Sequence, residues 1–301
     1  GYIMPKTSSR AITSPAGTAD TMEVLAPVSL SKDKILKVIK KTKACMVWGG
    51  TMHLAGADEH MVKVRHPLSI DPEGMMLASI LAKKKAVGAT HVLIDLPYGP
   101  GTKLETRRGA KKLKKKFEKL AKLIGLNIKV ILTDGSQPIG FGIGPALEIR
   151  DVLSVLQGDG PIDLMEKSVY MASEMLKMAG IKDAREKVLE ILHSGAALKK
   201  FKDIVVAQGG SKKLAVPKAD HFKAIFSKSS GTVRSLNNKC LTRIARVAGA
   251  PSDKTAGMYL CVKKGSKISK GEELFFVYSQ TKEKLDDAVN LADKADCFVI
   301  D

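Results

Sequence analysis

The sequence predicts an α/β fold, with a central parallel-type sheet flanked by helices and followed by a smaller α+β C-terminal domain. Three observations predict it. Short, near-continuous apolar runs recur and end in Gly, Pro or Asp: ACMVW at 44–48, HVLIDL at 91–96 and NIKVILTD at 127–134. Such runs suit strands covered on both faces, as in a parallel sheet. Segments of helical periodicity lie between and after them, which implies βαβ units with right-handed crossovers. After Gly195 the alternation stops, and from about 223 the pattern becomes strand-like and punctuated by turns.

Taken in order, the expected helices cover 33–42, 72–87, 110–124, 144–157, 163–179 and 183–193. Asp20 with Glu23 three residues later has a capping-box pattern. Asp71, Pro72 and Glu73 offer an N-cap, a proline at the first helical position and an acid in the first turn. Residues 196–222 mix Gly209-Gly210, Pro217 and several lysines, and read as a connection. The stretch YLCVKKGSKISKGEELFFVYS (259–279) reads as consecutive hairpins turning at Gly265 and Gly271. A helix at about 281–293 and a strand at 297–300 close the chain. The expected division is therefore an α/β domain over 1–195, a connection over 196–222 and an α+β domain over 223–301.

With 301 residues the chain buries a substantial core, and no apolar run approaches the ~20 residues of a membrane helix, so no membrane partner is expected. Cys45, Cys240, Cys261 and Cys297 are far apart and form no CxxC pair, so they read as reduced residues of a cytoplasmic protein. His53, His60 and His66 lack metal-ligand spacing, and no metal or cofactor is expected. The net charge of +19 suits nucleic acid, an acidic membrane surface or anionic substrates. Much of it lies in KLETRRGAKKLKKKFEKLAK (103–122), where Leu113, Phe117, Leu120 and Ile124 recur at helical spacing. That run reads as a surface helix with a solvated basic face. Aromatic residues are 5% of the chain and are not interleaved with the basic ones, so no dedicated nucleic-acid site is expected.

Four stretches carry groups suited to chemistry. TSSRAITSPAGTAD (7–20) sets hydroxyls around Arg10 ahead of a capped helix. It is either an ordinary polar loop or an anion site, because a guanidinium fork and free helix N–H groups both match phosphate oxygens. Asp71, just ahead of Pro72, reads as a helix cap. LPYGPGTK (96–103) follows a strand, where ligands gather in open parallel sheets, and ends in Lys103. LTDGSQPIGFGIGPALEI (132–149) opens a helix with Gly140, Gly142 and Gly144, which serve a phosphate cradle or close packing about equally well.

In this order, TSSRAITSPAGTADTME, ASILAKKKA (78–86), LIDLPYGPG (93–101), LTDGSQPIGFGIGPALEI and GDGPIDL (158–164) resemble the thymidine/pyrimidine nucleoside phosphorylase family. The spelling is most like its archaeal AMP phosphorylase branch. SGTVRSLNNKCLTRIARVAGAP and KKGSKISKGEELFF resemble the family's C-terminal domain, so essentially the whole chain is covered. The resemblance implies phosphorolysis of nucleoside 5′-monophosphates, AMP and orthophosphate giving adenine and ribose 1,5-bisphosphate. It implies Asp71 as proton donor, and Ser9, Arg10, Ala11, Ile12, Thr13, Ser14, Thr18, Ser79 and Lys103 as nucleotide-binding residues. Thymidine phosphorylases follow the signature glutamate with a serine and a lysine that hold the pyrimidine. Here Glu23 precedes Val24-Leu25-Ala26-Pro27-Val28, which disfavours a thymine site. Pyrimidine nucleoside phosphorolysis is the alternative, and nucleic-acid binding the alternative of another class. The family places its orthophosphate loop and a small dimer-forming helical domain ahead of this stretch. The chain is therefore expected to be an inactive fragment of a homo-oligomeric enzyme. KKGSKISKGEELFF also resembles biotinyl and lipoyl hairpins, but Asp253-Lys254-Thr255 lies outside the position of a carrier lysine.

Overall fold

The computed structural model describes residues 2–51 and 73–301. In its first part, strands β1 (Met4–Ser8) and β2 (Ala44–Trp48) pair in parallel, Met4 opposite Ala44 and Ser8 opposite Trp48. Strands β3 (His91–Tyr98) and β4 (Asn127–Asp134) form a second parallel pair, His91 opposite Asn127. Helices α1 (Thr18–Glu23), α2 (Lys32–Thr42), α3 (Glu73–Ala86) and α4 (Arg107–Leu123) connect these strands. The apolar runs became strands because both faces are covered. Val92, Ile94, Leu96 and Val130 pack with Leu77 and Leu81 of α3 and with Leu113, Phe117 and Ala121 of α4. The basic run is thus a helix with one buried stripe, its lysines on the opposite side.

Sequence reading missed β1, whose residues MPKTS are largely polar and half-exposed. Pairing with β2, rather than propensity, holds it. The far edge of β2 is closed by a side chain. Gln208, 1% exposed, accepts from Met46 N–H at 2.8 Å and donates to Met46 and Pro27 carbonyls at 3.0 Å. A buried backbone edge left unpaired would cost several hydrogen bonds. Gln208 ends a 13-residue helix, and so the segment 196–222, read as a connection, opens with regular structure. With Pro145–Gln157 as α5, Ile162–Met178 as α6 and Ala184–His193 as α7, this helix is α8 (Ala196–Gln208).

The second part holds β6 (His221–Phe226), β7 (Gly231–Leu236), α9 (Asn238–Val247), β8 (Gly257–Leu260), β9 (Lys267–Ile268), β10 (Glu273–Ser279), α10 (Lys282–Lys294) and β11 (Phe298–Ile300). The expected consecutive hairpins are replaced by two sheets. β10 pairs antiparallel with β8 and β6, whereas β9 leaves to pair with β7, beside β11. The turns at Gly265 and Gly271 do have positive φ, 92° and 88°. Local turn chemistry does not specify which strand each arm pairs with. The four-stranded sheet runs β5-β8-β10-β6, and its outer strand β5 (Gly142–Ile143) comes from the glycine-rich stretch of the first part.

Cys240, in the first turn of α9, is joined to Cys297 before β11 in a disulfide with Cα atoms 5.5 Å apart. This corrects the expectation of four reduced cysteines. The two lie 57 residues apart and meet only through tertiary packing. Cys45 is a buried thiol that burial pushes up to about 11, and Cys261 is exposed.

Candidate functional site

The loop after β1 is drawn together by one carboxylate. Asp20, 6% exposed, accepts from Ala11 N–H at 2.7 Å, Gly17 N–H at 3.0 Å and Arg10 Nη1 at 3.2 Å. Helix α1 therefore starts at Thr18 with Gly17 as N-cap, and Asp20 sits at its third position. This corrects the capping-box reading, which started the helix at Asp20. Gly17 is required here, because a Cβ would lie 2.8 Å from both Ala11 N and Ser9 O. The turn thus presses the backbone of residues 9–11 against its own cap.

Glu23, instead of capping, binds Arg10 bidentately at 2.7 and 2.6 Å. Hydrogen bonding from Arg10 is the largest cause holding the Glu23 carboxyl down to about 2. The Arg10 guanidinium also lies 5.2 Å from the Trp48 ring centroid. Two carboxylates and an indole therefore engage Arg10, which leaves no surplus of positive charge from that side chain. Around it Ser9, Ile12, Thr13, Ser14 and Thr18 are exposed and Ala11 is half-buried.

The other predicted site residues distribute as follows. Lys103 is exposed on the loop after β3, at the same carboxyl edge as the loop after β1 is to its own strand. Ser79 lies on α3, and its side chain is outside the described residues. Asp71, the expected proton donor, also lies outside the described residues, as does the expected cap formed with Pro72. Among the described residues no group of three or more His, Cys, Asp or Glu is arranged to hold a metal ion.

The glycine-rich stretch resolves toward close packing. Asp151 fills the loop with its carboxylate, accepting from Phe141 N–H at 2.6 Å and Gly142 N–H at 2.7 Å. A Cβ on Gly142 would lie 2.3 Å from Leu147 O, and one on Gly144 (φ 124°) 2.4 Å from Ala256 O. Beyond β4, a cavity of about 290 Å³ is lined by Thr133, Asp134, Asp163, Lys167 and Tyr170 among others. Its cations are engaged: Lys167 pairs with Asp95 at 2.7 Å, and nearby Lys263 with Asp163 at 2.9 Å. None of the predicted site residues lines it.

Sequence reasoning missed the residues that reach this loop from the second part. Arg246 Nη1 donates to the carbonyls of Ile12 and Ser14, each at 3.2 Å. Lys254 Nζ lies 3.0 Å from Glu23 Oε2. The lysine weighed as a cofactor carrier is therefore an ion-pair partner of the Arg10–Glu23 fork. No local signal marks either residue, since each contact spans more than 230 positions.

Beneath the loop lies a second carboxylate cluster. Glu148 accepts from the Thr21 hydroxyl at 3.1 Å and Gly144 N–H at 3.3 Å. Burial pushes its carboxyl up to about 7 against those hydrogen bonds, and Asp151 and Asp20 add to the rise. Burial raises Asp151 as well. A raised acid binds its proton longer in the folded state than in the unfolded chain. Stability should therefore fall as pH rises from about 4.5 toward 7 and level off above. Glu148→Gln should flatten this slope and stabilise the protein at pH 8 by on the order of 2 kcal/mol, read from urea midpoints across that window. An unaltered slope would place the titration elsewhere.

The fold and the loop after β1 define an α/β protein with a braced, hydroxyl-rich segment at a strand end. Residues 232–296 match the pyrimidine nucleoside phosphorylase C-terminal domain. The chain is 46% identical to an AMP phosphorylase of Thermofilum pendens over 288 residues, covering 95% of this chain and 56% of that protein. It is 46% identical to the AMP phosphorylase of Thermococcus kodakarensis over 299 residues, covering 97% and 59%. A Legionella pneumophila protein with a provisional thymidine phosphorylase designation is 44% identical across the whole chain and 59% of its own length. The chain is similar to the thymidine/pyrimidine nucleoside phosphorylases through these relatives, with residues 232–296 matching the C-terminal domain of pyrimidine nucleoside phosphorylases. It spans somewhat over half the length of these relatives, 56% to 59%. Among the described residues no helix is long and apolar enough to cross a membrane.

Proposed function

We propose that this protein is a pentosyltransferase that phosphorolyses nucleoside 5′-monophosphates, with AMP as its preferred substrate. A phosphate oxygen forms a bond to the anomeric carbon as the glycosidic C–N bond breaks. The leaving base takes a proton from Asp71, giving free base and pentose 1,5-bisphosphate. The observation that carries this reading is the segment Ser9–Ser14. It is matched in spelling to the AMP phosphorylase branch and braced by Asp20 with its hydroxyls exposed. Ser9, Ala11, Ile12, Thr13, Ser14 and Thr18 would line the nucleotide, with Ser79, while Lys103 supplies the cation for anionic oxygens. Arg10 would act by pinning the segment through Glu23, because its fork is already occupied.

The test is phosphate-dependent release of base from AMP, CMP, UMP and thymidine. In a full-length form, adenine release from AMP, absent without phosphate, is the expected result. Turnover of thymidine with none of any monophosphate would overturn the reading in favour of a pyrimidine nucleoside phosphorylase. For the basic surface the expectation is weak nucleic-acid binding lost at moderate salt. Retention with a slope near −0.9 per phosphate contact would instead support a dedicated site. We place the protein in the cytoplasm, where its substrates are, as a homo-oligomer with no cofactor. The Cys240–Cys297 bond is the observation against that compartment.

A further inference from the structure

Helix α9 touches both loops that carry predicted substrate residues. At its N-terminal end the Asn238 side-chain amide donates to Gly135 O at 3.0 Å and Pro100 O at 3.4 Å. Pro100 belongs to the loop that carries Lys103. A Cβ on Gly101 (φ 79°) would lie 3.3 Å from Asn238 Cβ, so that loop is seated closely on the helix start. One end therefore grips the loops after β3 and β4. In its last turn Arg246 grips Ile12 and Ser14, two carbonyls of the nucleotide segment. The two grips stand eight residues apart, roughly 12 Å along a helix.

The helix between them is rigidly seated. Leu241, Ile244 and Ala245 are 0–1% exposed in the core of the second part, and the Asn237 side chain caps the N-terminus by accepting from Cys240 N–H at 3.1 Å. Arg246 itself is exposed and takes no part in that core. An exposed arginine that spends its donors on two carbonyls of a distant loop contributes little to folding. What it does contribute is the position of that loop.

We propose that α9 is a strut fixing the spacing between the nucleotide segment Ser9–Ser14 and the Lys103 loop, with Arg246 and Asn238 as positioning residues. The role of those loops rests on the function proposed above; the strut itself does not. Both grips act on backbone carbonyls, so they set where the segment lies without reading the nucleotide. Arg246→Ala frees one end. Asn238→Asp replaces the amide donor by an acceptor of the same shape facing two carbonyls, and so releases the other end.

Two readouts separate the proposals. Trp48 is the chain's single tryptophan and lies against Arg10, so its fluorescence reports on the segment without any nucleotide. Arg246→Ala should raise acrylamide quenching of Trp48 and weaken AMP binding about tenfold, with the thermal midpoint nearly unchanged. Arg246→Lys, which keeps one cationic donor, should recover part of both effects. Asn238→Asp should also weaken AMP binding. Unchanged Trp48 quenching in Arg246→Ala would overturn the strut, as would a lowered midpoint with undiminished AMP affinity. If the unsubstituted protein binds no AMP, the proposed function fails, and Trp48 quenching alone still decides the strut.

Discussion

Replacing Asp71 by Asn is expected to lower the turnover of AMP by two to four orders of magnitude while leaving AMP affinity within a few-fold. Under the proposed reaction, negative charge develops on the base as the C–N bond breaks, and a positioned acid that protonates it is worth about 10²- to 10⁴-fold. Asparagine keeps the size and much of the hydrogen bonding but has no acidic proton to give. The loss should therefore appear in kcat and in kcat/KM alike, the signature of an interaction made in the transition state. Steady-state phosphorolysis with binding measured separately checks this. Undiminished kcat at equal stability would return Asp71 to the plainer role its neighbours Pro72 and Glu73 also suit, that of a helix cap.

Asp20→Ala is expected to have the largest effect on stability at the site, lowering it by about 3 kcal/mol and weakening AMP binding together with it. The substitution strands two backbone N–H groups, of Ala11 and Gly17, that face a nearly buried position, and removes one carboxylate from Arg10. Stranded buried donors cost ~1–3 kcal/mol each. Asp20→Asn keeps one carbonyl oxygen as acceptor and should fall between the two. Urea unfolding at constant slope measures the change. A midpoint that stays within error would mean that the loop holds its shape by other contacts, such as those from Arg246.

Much of the fold was legible because its determinants are local. ACMVW, HVLIDL and NIKVILTD show their burial in their own letters, and the helix at 107–123 shows its stripe through Leu113 and Phe117. What stayed hidden depends on residues far apart. MPKTS becomes a strand only when β2 lies beside it. Gln208 looks like any surface polar residue until the edge of β2 is found against it. The site divides in the same way. The hydroxyl-rich segment was legible as a segment, but the partners of Arg10 were not. A guanidinium near serines suggests phosphate as readily as carboxylate, and only the fold brings Glu23 and Asp20 into its fork. Helix α9 carried usable local marks, with Asn237 before it and apolar residues at 241, 244, 245 and 248, yet the surrounding strand signals outweighed them.

The glycine-rich loop has a mechanical consequence. Its residues Gly142 and Ile143 are at once the approach to α5 and the outer strand of the C-terminal sheet, where a Cβ on Gly257 would stand 2.0 Å from Ile143 O. Two parts of the molecule are thus welded through four backbone positions with no slack between them. Any breathing motion that admits a substrate must bend elsewhere, because this joint can separate only by tearing ladder hydrogen bonds. Asp151, on the first part's side, holds the N–H groups of Phe141 and Gly142 at the start of that outer strand, so the strand arrives at the joint already fixed by its own chain.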